Sequence, residues 1–531
     1  MDAIAMPDQK TKRPEFVEKF VKPVNTEIKH VGNHWYLYER SNKYDPDIKR
    51  SRKVSGACLG KITEEGLVPS KRRMVSKDAP VVASVVEVGS TLYLWNRTEK
   101  LRNRLQAHFP ESWKSIYTAA ILRAMKEPRL KRLQLHFEES LLSQVFPDVS
   151  FGAAANAALL KELGANRKAI CDFMQDDLRA NGAFILFDGH RLLSSSRTMP
   201  YAELGYDSKH RYRPQINLLY AYSLGETTGV PVYYKQFIGS TPDVTAFPDI
   251  LREMAIGGKE LTLVADKGFG SEEDFRLIDD LNLKYVIPLK RGNGFVKGRV
   301  PALGAYEDVF TFHGRAVQCT KFSQDGFDVY LYFDSQLFAD ELADSSMRLE
   351  KKNNTNAVKL EAENKRISRG KGRLSAAELA ALAPVKGASI YENTPEIGTV
   401  TIRTSRTDLN GRQVYGIYKQ RQAVEQFFKT YGDTMDFEAS YMRDQVSQEG
   451  WLFLNHLSSM IGIGCLDEIA AIDESKNISL NDLKATLNKI CACKIGATWQ
   501  VAPIKKGVQK LLSKMDLSIS NEDVEALLKQ H

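Results

Sequence analysis

The chain has 531 residues, of which 43% are hydrophobic, 26% charged and 9% aromatic, with a formal net charge of +8. This is a globular composition, and it excludes a collagen, a coiled coil or a long disordered tail. No apolar run reaches the roughly 18 residues of a membrane span, and residues 1–16 hold no apolar signal-peptide core.

Residues 1–80 carry 17 Lys and Arg against 11 Asp and Glu, a surplus of six. Such a basic module suits a polyanionic partner, and it equally suits a solvated surface. Within it, residues 33–62 alternate as paired strands do, with a Pro46-Asp47 turn region between "WYLYER" and "RKVSGACLGKI". Residues 81–182 read as a helical region. Apolar residues recur at three and four spacing through 111–146, and a second helical stretch over 153–180 ends at Asn181-Gly182.

The pattern then changes. "AFILFDGH" (183–190) reads as a strand ending in Asp188, and 215–239 as two strands of a hairpin turning at 225–229. Residues 243–255 read as a helix interrupted by Pro248, and Leu261–Ala265 as a buried strand ending on Asp266. Ser271 is an N-cap followed by acids, a strong helix start over 271–282, and 283–290 is a further strand. This alternation of strands and helices is that of an α/β core. It stops for over a hundred residues, which hold short strands at 305–335 and a charged, helical stretch at 337–384 with eight Lys or Arg in 351–373. A stretch of that length is rarely structureless, so 292–397 reads as an inserted domain. The core, 183–291, resumes at 398–475 with a strand at 398–405 and a helix at 411–432. Residues 476–531 form an amphipathic helical segment, able to pack on its own core or on a partner.

Six scattered cysteines, 58, 171, 319, 465, 491 and 493, point to a reducing compartment. Cys491 and Cys493 form C-x-C without a second pair, a weak pattern for zinc.

In the helix at 411–432, Tyr418, Arg421, Glu425 and Lys429 share one face. Taken alone this is an ordinary solvent face. If the strands ending at Asp188 and Asp266 are neighbours, however, both carboxylates emerge at one sheet edge, where open α/β folds place their sites. A helix bearing Glu425 could cover that edge. Three carboxylates at close range need cations between them, and oxygen ligands suit Mg²⁺ or Mn²⁺.

"FDGHRLLSSS", "LVADKGFGSEEDF" and "YKQRQAVEQFFK", in this order and with Y-x2-R-x3-E at Tyr418, Arg421 and Glu425, resemble the DDE transposases of bacterial insertion sequences. The hairpin region between the first two acids is similar as well. The resemblance implies a ribonuclease H-like mixed sheet flanked by helices, interrupted by a β-rich and helical insertion and preceded by a small β and helical N-terminal region. It implies that Asp188, Asp266 and Glu425 are catalytic and bind two divalent metal ions, Mg²⁺ or Mn²⁺, with Asp188 bridging. It implies that Tyr418 and Arg421 hold phosphates, and that the protein cleaves transposon-end DNA and transfers the 3′-hydroxyl into target DNA. The implied partners are double-stranded DNA and a second copy of the chain in a synaptic complex, in a bacterial, nucleoid-associated cytoplasmic setting. Residues 1–80 become the DNA-end-binding candidate, helped by 351–373. The alternatives are a metal-dependent nuclease of the same fold and a catalytically silent DNA-binding derivative. Two positions depart from the family. His190 stands where Thr or Ser is common, and Gly432 where the signature Lys follows the Glu. Lys429 is the substitute DNA-binding lysine. Lys267 reads first as a solvated residue and second as a phosphate contact.

Overall fold

The computed structural model describes residues 13–45, 49–69, 82–180, 184–206, 211–224, 229–254, 261–291, 293–294, 296–302, 304–324, 326–385, 396–421, 438–472 and 478–530. They divide into two compact units, one of residues up to 84 with 494–498, the other of 85–493 and 499–531.

The first unit is a four-stranded antiparallel sheet in the order β1 (Thr26–Val31), β2 (His34–Asp45), β3 (Arg50–Thr63), β4 (Gly66–Pro69). The paired strands expected over 33–62 are β2 and β3. Val17, Trp35, Leu37 and Ile62 make its small buried core.

The second unit opens with helices α1 (Gly89–Arg97), α2 (Glu99–His108), α3 (Trp113–Met125), α4 (Ala153–Ala165) and α5 (Arg167–Ala180). The helix expected over 153–180 is thus two, broken at Asn166. An eleven-stranded mixed sheet follows. Its strands are β5 (Phe184–Ser194), β6 (Glu203–Tyr206), β7 (Tyr212–Leu224), β8 (Gly229–Ile238), β9 (Thr262–Val264), β10 (Lys284–Pro288), β11 (Asp308–Phe312), β12 (Arg315–Gln324), β13 (Phe327–Asp334), β14 (Thr399–Thr404) and β15 (Ala439–Ser440). The path runs β11-β12-β13-β14-β10-β9-β5-β7-β6, with β8 also on β7 and β15 also on β5. Among the described residues of this sheet, β5–β9, β9–β10 and β5–β15 are the parallel pairs. β9 and β10 are buried nearly throughout, which is why their sequences read as unbroken apolar runs.

The short strands at 305–335 extend this same sheet through the antiparallel pairing of β13 with β14. Helix α6 (Asp243–Met254) carries Pro248 inside it without interruption, a correction to the sequence expectation. Helix α7 (Glu272–Asp280) begins at Ser271 with a reciprocal capping box to Asp274. Helix α8 (Ser335–Ile367) covers the charged stretch. Helix α9 is described over 411–421, and α10 (Gln445–Ile472) is buried along most of its length. α4 and α10 approach so closely that a Cβ on Gly164 would lie 1.7 Å from the Val446 carbonyl oxygen, and one on Gly450 2.2 Å from that of Leu160.

The C-terminal segment packs on its own core, with Leu483, Leu487, Val524 and Leu527 buried in the main cluster. Cys491–Ile495, expected to be helical, is a strand. Both of its cysteines are free thiols.

Candidate functional site

Asp266 follows five residues, Leu261 to Ala265, that are each at most 2% exposed. Full burial of one Leu or Val stabilises by about 1.5–3 kcal/mol. The strand is therefore fixed by its own core, and the first polar residue after it is fixed with it. Asp266 keeps an extended backbone and caps a short 3-10 turn over Lys267–Phe269, its carboxylate accepting the Lys267 N–H at 2.7 Å.

β9 runs parallel to β5 with Thr262 opposite Phe184 and Val264 opposite Leu186. Counting two residues on along each strand brings Asp266 level with Asp188. The two candidate strands are neighbours, and adjacent strands lie about 4.8 Å apart. Asp188 does not end its strand, however, and this corrects the sequence expectation: β5 runs on to Ser194 because β7 pairs with it as far as Leu193. On its other edge β5 has β9 up to Leu186 and β15 only from Leu193. Among the described residues no strand pairs with that edge in between, and Asp188 and His190 sit in this gap. The Asp188 Oδ1 accepts the Gly189 N–H at 3.0 Å.

Helix α9 supplies the third side. Arg421 places Nη1 3.0 Å from Asp266 Oδ1, with side-chain exposures of 15% and 41%. Tyr418, three residues earlier, is half-buried against the core. The structure thus brings Arg421 onto Asp266, with Tyr418 one turn earlier on the same helix and Asp188 on the strand next to the one that leads into Asp266. Glu425 and Lys429 lie outside the described residues. Lys267 is exposed and His190 half-buried.

Two supporting networks escaped the sequence reading. α9 is anchored beside the site by Asp334, which is 1% exposed. Its carboxylate accepts the Tyr415 hydroxyl, lies 3.0 Å from Arg315 Nε and 3.8 Å from Lys419 Nζ. Burial alone would raise the Asp334 carboxyl. The Tyr415 hydroxyl and the Arg315 guanidinium outweigh it and hold the group below the usual carboxylate range. Tyr332 donates to the Gly411 carbonyl at 2.8 Å and Tyr330 to that of Leu409 at 2.9 Å, while Asn410 and Gln413 cap the helix reciprocally. The signal was present in the sequence: Tyr415 and Lys419 stand four apart on α9, on the face next to the one bearing Tyr418 and Arg421.

The second network backs the Asp188 strand. Asp243, first residue of α6, accepts from Arg191 Nη2 at 2.8 Å and from Asn217 Nδ2 at 2.9 Å. A Cβ on Gly189 would lie 2.4 Å from the Asp243 carboxylate, so a side chain there would have to push that carboxylate off Arg191 and Asn217. Nothing in the local sequence pairs residue 243 with 189, 191 and 217.

Asp188 and Asp266 offer oxygen ligands alone, the donor type for Mg²⁺ or Mn²⁺ rather than for zinc or copper. Arg421 already brings positive charge to Asp266. Among the described residues no group of three or more His, Cys, Asp or Glu could hold a metal ion; Glu425 lies outside those residues.

A family model described as a transposase DDE domain matches residues 181–461, just over half of the chain. Among solved structures, a piggyBac transposase synaptic complex with hairpin DNA matches at 11% identity with a TM-score of 0.36, covering 83% of this chain and 86% of that one. No curated protein matches.

Proposed function

Because the chain belongs to the transposase DDE domain family, we propose that it cleaves DNA at the ends of a transposable element and joins the freed 3′-hydroxyl to target DNA. In this reading Asp188, Asp266 and Glu425 are the catalytic carboxylates and hold two Mg²⁺ or Mn²⁺ ions. The observation that supports it is the parallel pairing of β5 and β9, the strand that holds Asp188 and the strand that leads into Asp266, together with the contact of Arg421 with Asp266. The mixed sheet is then a ribonuclease H-like core.

Divalent ions held by Asp188, Asp266 and Glu425 would supply activation of the attacking oxygen on one side of a phosphodiester and stabilisation of the leaving oxygen on the other. The chain's own residues do the rest. Asp188 and Asp266 are held by buried strands, so their carboxylates need little reorganisation. Arg421 presents a planar fork that matches phosphate oxygens, and Tyr418 lies three residues away on the same face. Lys429, spaced four residues after Glu425 in the sequence, is the further phosphate-binding cation of this reading. Residues 1–80 bind the element's ends, two copies of the chain pair two ends, and the protein works on the bacterial nucleoid.

The test is strand cleavage of a duplex carrying the gene's own flanking ends, with Mg²⁺, comparing wild type with Asp266→Asn. Cleavage at the ends by the wild type, and binding without cleavage by the variant, is the expected result. Equal cleavage by both would remove Asp266 from the site.

A further inference from the structure

The first unit carries a feature its small core does not require. β1 pairs with β2 only over residues 34–39, and β4 with β3 only over 60–63. Beyond those positions β2 and β3 continue as a ribbon of six pairs, from Arg40 opposite Ser55 to Asp45 opposite Arg50, two-stranded from Ser41 outward, since at the root the Arg40 N–H still donates to the Asn25 carbonyl. A register irregularity marks its root, between Leu37 and Arg40. Such a bulge bends and twists the strand that carries it. Residues 41–44 and 49–57 are all exposed, Tyr44 at 61% and Val54 at 41%. The ribbon buries no core, and an isolated two-stranded hairpin is marginal by itself.

Its chemistry is polar and cationic. Residues 40–55 hold six Lys or Arg, at 40, 43, 49, 50, 52 and 53, against two Asp, at 45 and 47. The ladder register distributes them. One face of the ribbon has Arg40, Asn42 and Tyr44 opposite Ser55, Lys53 and Ser51. The other has Ser41 and Lys43 opposite Val54 and Arg52. Cations therefore stand on both faces, with an amide, a phenol and hydroxyls between them.

We propose that this ribbon, residues 40–45 and 50–55, enters the major groove of double-stranded DNA. The proposal rests on the reading that the chain acts on DNA, and it assigns the groove-reading element. A two-stranded ribbon fits a major groove about 12 Å wide, and six residue pairs span about 17 Å along it. The face bearing Asn42, Tyr44 and Ser51 lies toward the base edges, and the long Lys and Arg side chains of both faces reach out to the phosphates on either side of the groove. Asn42, Tyr44 and Ser51 carry the donors and acceptors that base edges need.

The experiment measures binding of the full chain, without Mg²⁺, to a labelled duplex from the gene's flanking ends and to a scrambled duplex of equal length, over a range of salt. Lys43→Ser/Arg52→Ser/Lys53→Ser should reduce the slope of log affinity against log salt by about three, near 0.9 for each phosphate no longer neutralised. Asn42→Ala/Tyr44→Ala should leave the slope unchanged and cut the preference for the end duplex at least tenfold. Methylation of guanine N7, on the major-groove edge, should interfere with wild-type binding. An unchanged slope in the triple variant, or interference confined to the minor-groove edge, would overturn the ribbon while leaving the DNA reading intact. Failure of the wild type to bind either duplex would overturn both.

Discussion

Arg421 and Asp266 link the helix and strand arms of the candidate site, 3.0 Å from nitrogen to oxygen. A hydrogen bond to a charged group is worth about 1.5–3 kcal/mol. Arg421→Ala should therefore weaken binding of the end duplex by roughly ten- to a hundredfold, and Arg421→Lys should restore only part of it, because a point charge lacks the planar fork. Titration of the labelled duplex with each variant checks both. A second residue acts on stability. His456, on α10, is 0% exposed and stacks near Tyr220 and Tyr234. Burial, with Arg104 and Arg167 nearby, pushes its imidazole down from 6.5 to about 3. The unfolded chain takes up a proton below pH about 6.5, while the folded chain does not do so until about 3. Stability is thus full above 6.5 and falls as the pH drops through that window, by about 2 kcal/mol at pH 5. Unfolding free energies from urea titration at pH 7 and pH 5 should differ less in His456→Leu by about that amount.

At the scale of elements, α9 is positioned by the strands that precede it. β13 ends in Asp334, and this one buried carboxylate meets Tyr415, Arg315 and Lys419 while also capping α8. Breaking a buried ion pair by removing one partner costs about 3–5 kcal/mol. Asp334→Asn keeps the shape and some hydrogen bonds, so a loss of about 3 kcal/mol in urea unfolding is expected, accompanied by weaker end binding through a displaced Arg421. The α4–α10 contact gives an independent check on packing. Gly450→Ala must push against the Leu160 backbone and should destabilise by about 1–3 kcal/mol. Gly464→Ala on the same helix meets nothing within 4 Å and should stabilise by about 0.5–1 kcal/mol. Thermal unfolding of the pair distinguishes backbone contact from helix propensity.

For the whole molecule, what is read easily from sequence is local. The apolar run before Asp266, the Ser271 capping box and the hairpin of β7 and β8 are each encoded within a dozen or two residues. What is missed depends on distant partners. The continuation of β5 past Asp188 is set by β7, some thirty residues on. The joining of β11 to β13 to the central sheet is set by β14, beyond a 33-residue helix. The backing of Gly189 by Asp243, and of α9 by Asp334, is equally non-local. Pro248 reads as an interruption, although its helix is held by Phe247, Ile250 and Leu251 in the core. Cys491–Ile495 reads as helix from its neighbours' spacing, although the chain is extended there.

Manganese binding, followed by electron paramagnetic resonance on the protein with its end duplex, tests most directly whether Asp188 and Asp266 form one cation site. Wild type should take up two Mn²⁺ per chain. Asp188→Asn and Asp266→Asn should each weaken that uptake at least tenfold, while Asp148→Asn, at an exposed carboxylate paired with Lys114, should retain it. Uptake unchanged in both Asp188→Asn and Asp266→Asn would contradict the shared site and leave the level placement of the two carboxylates without a catalytic meaning.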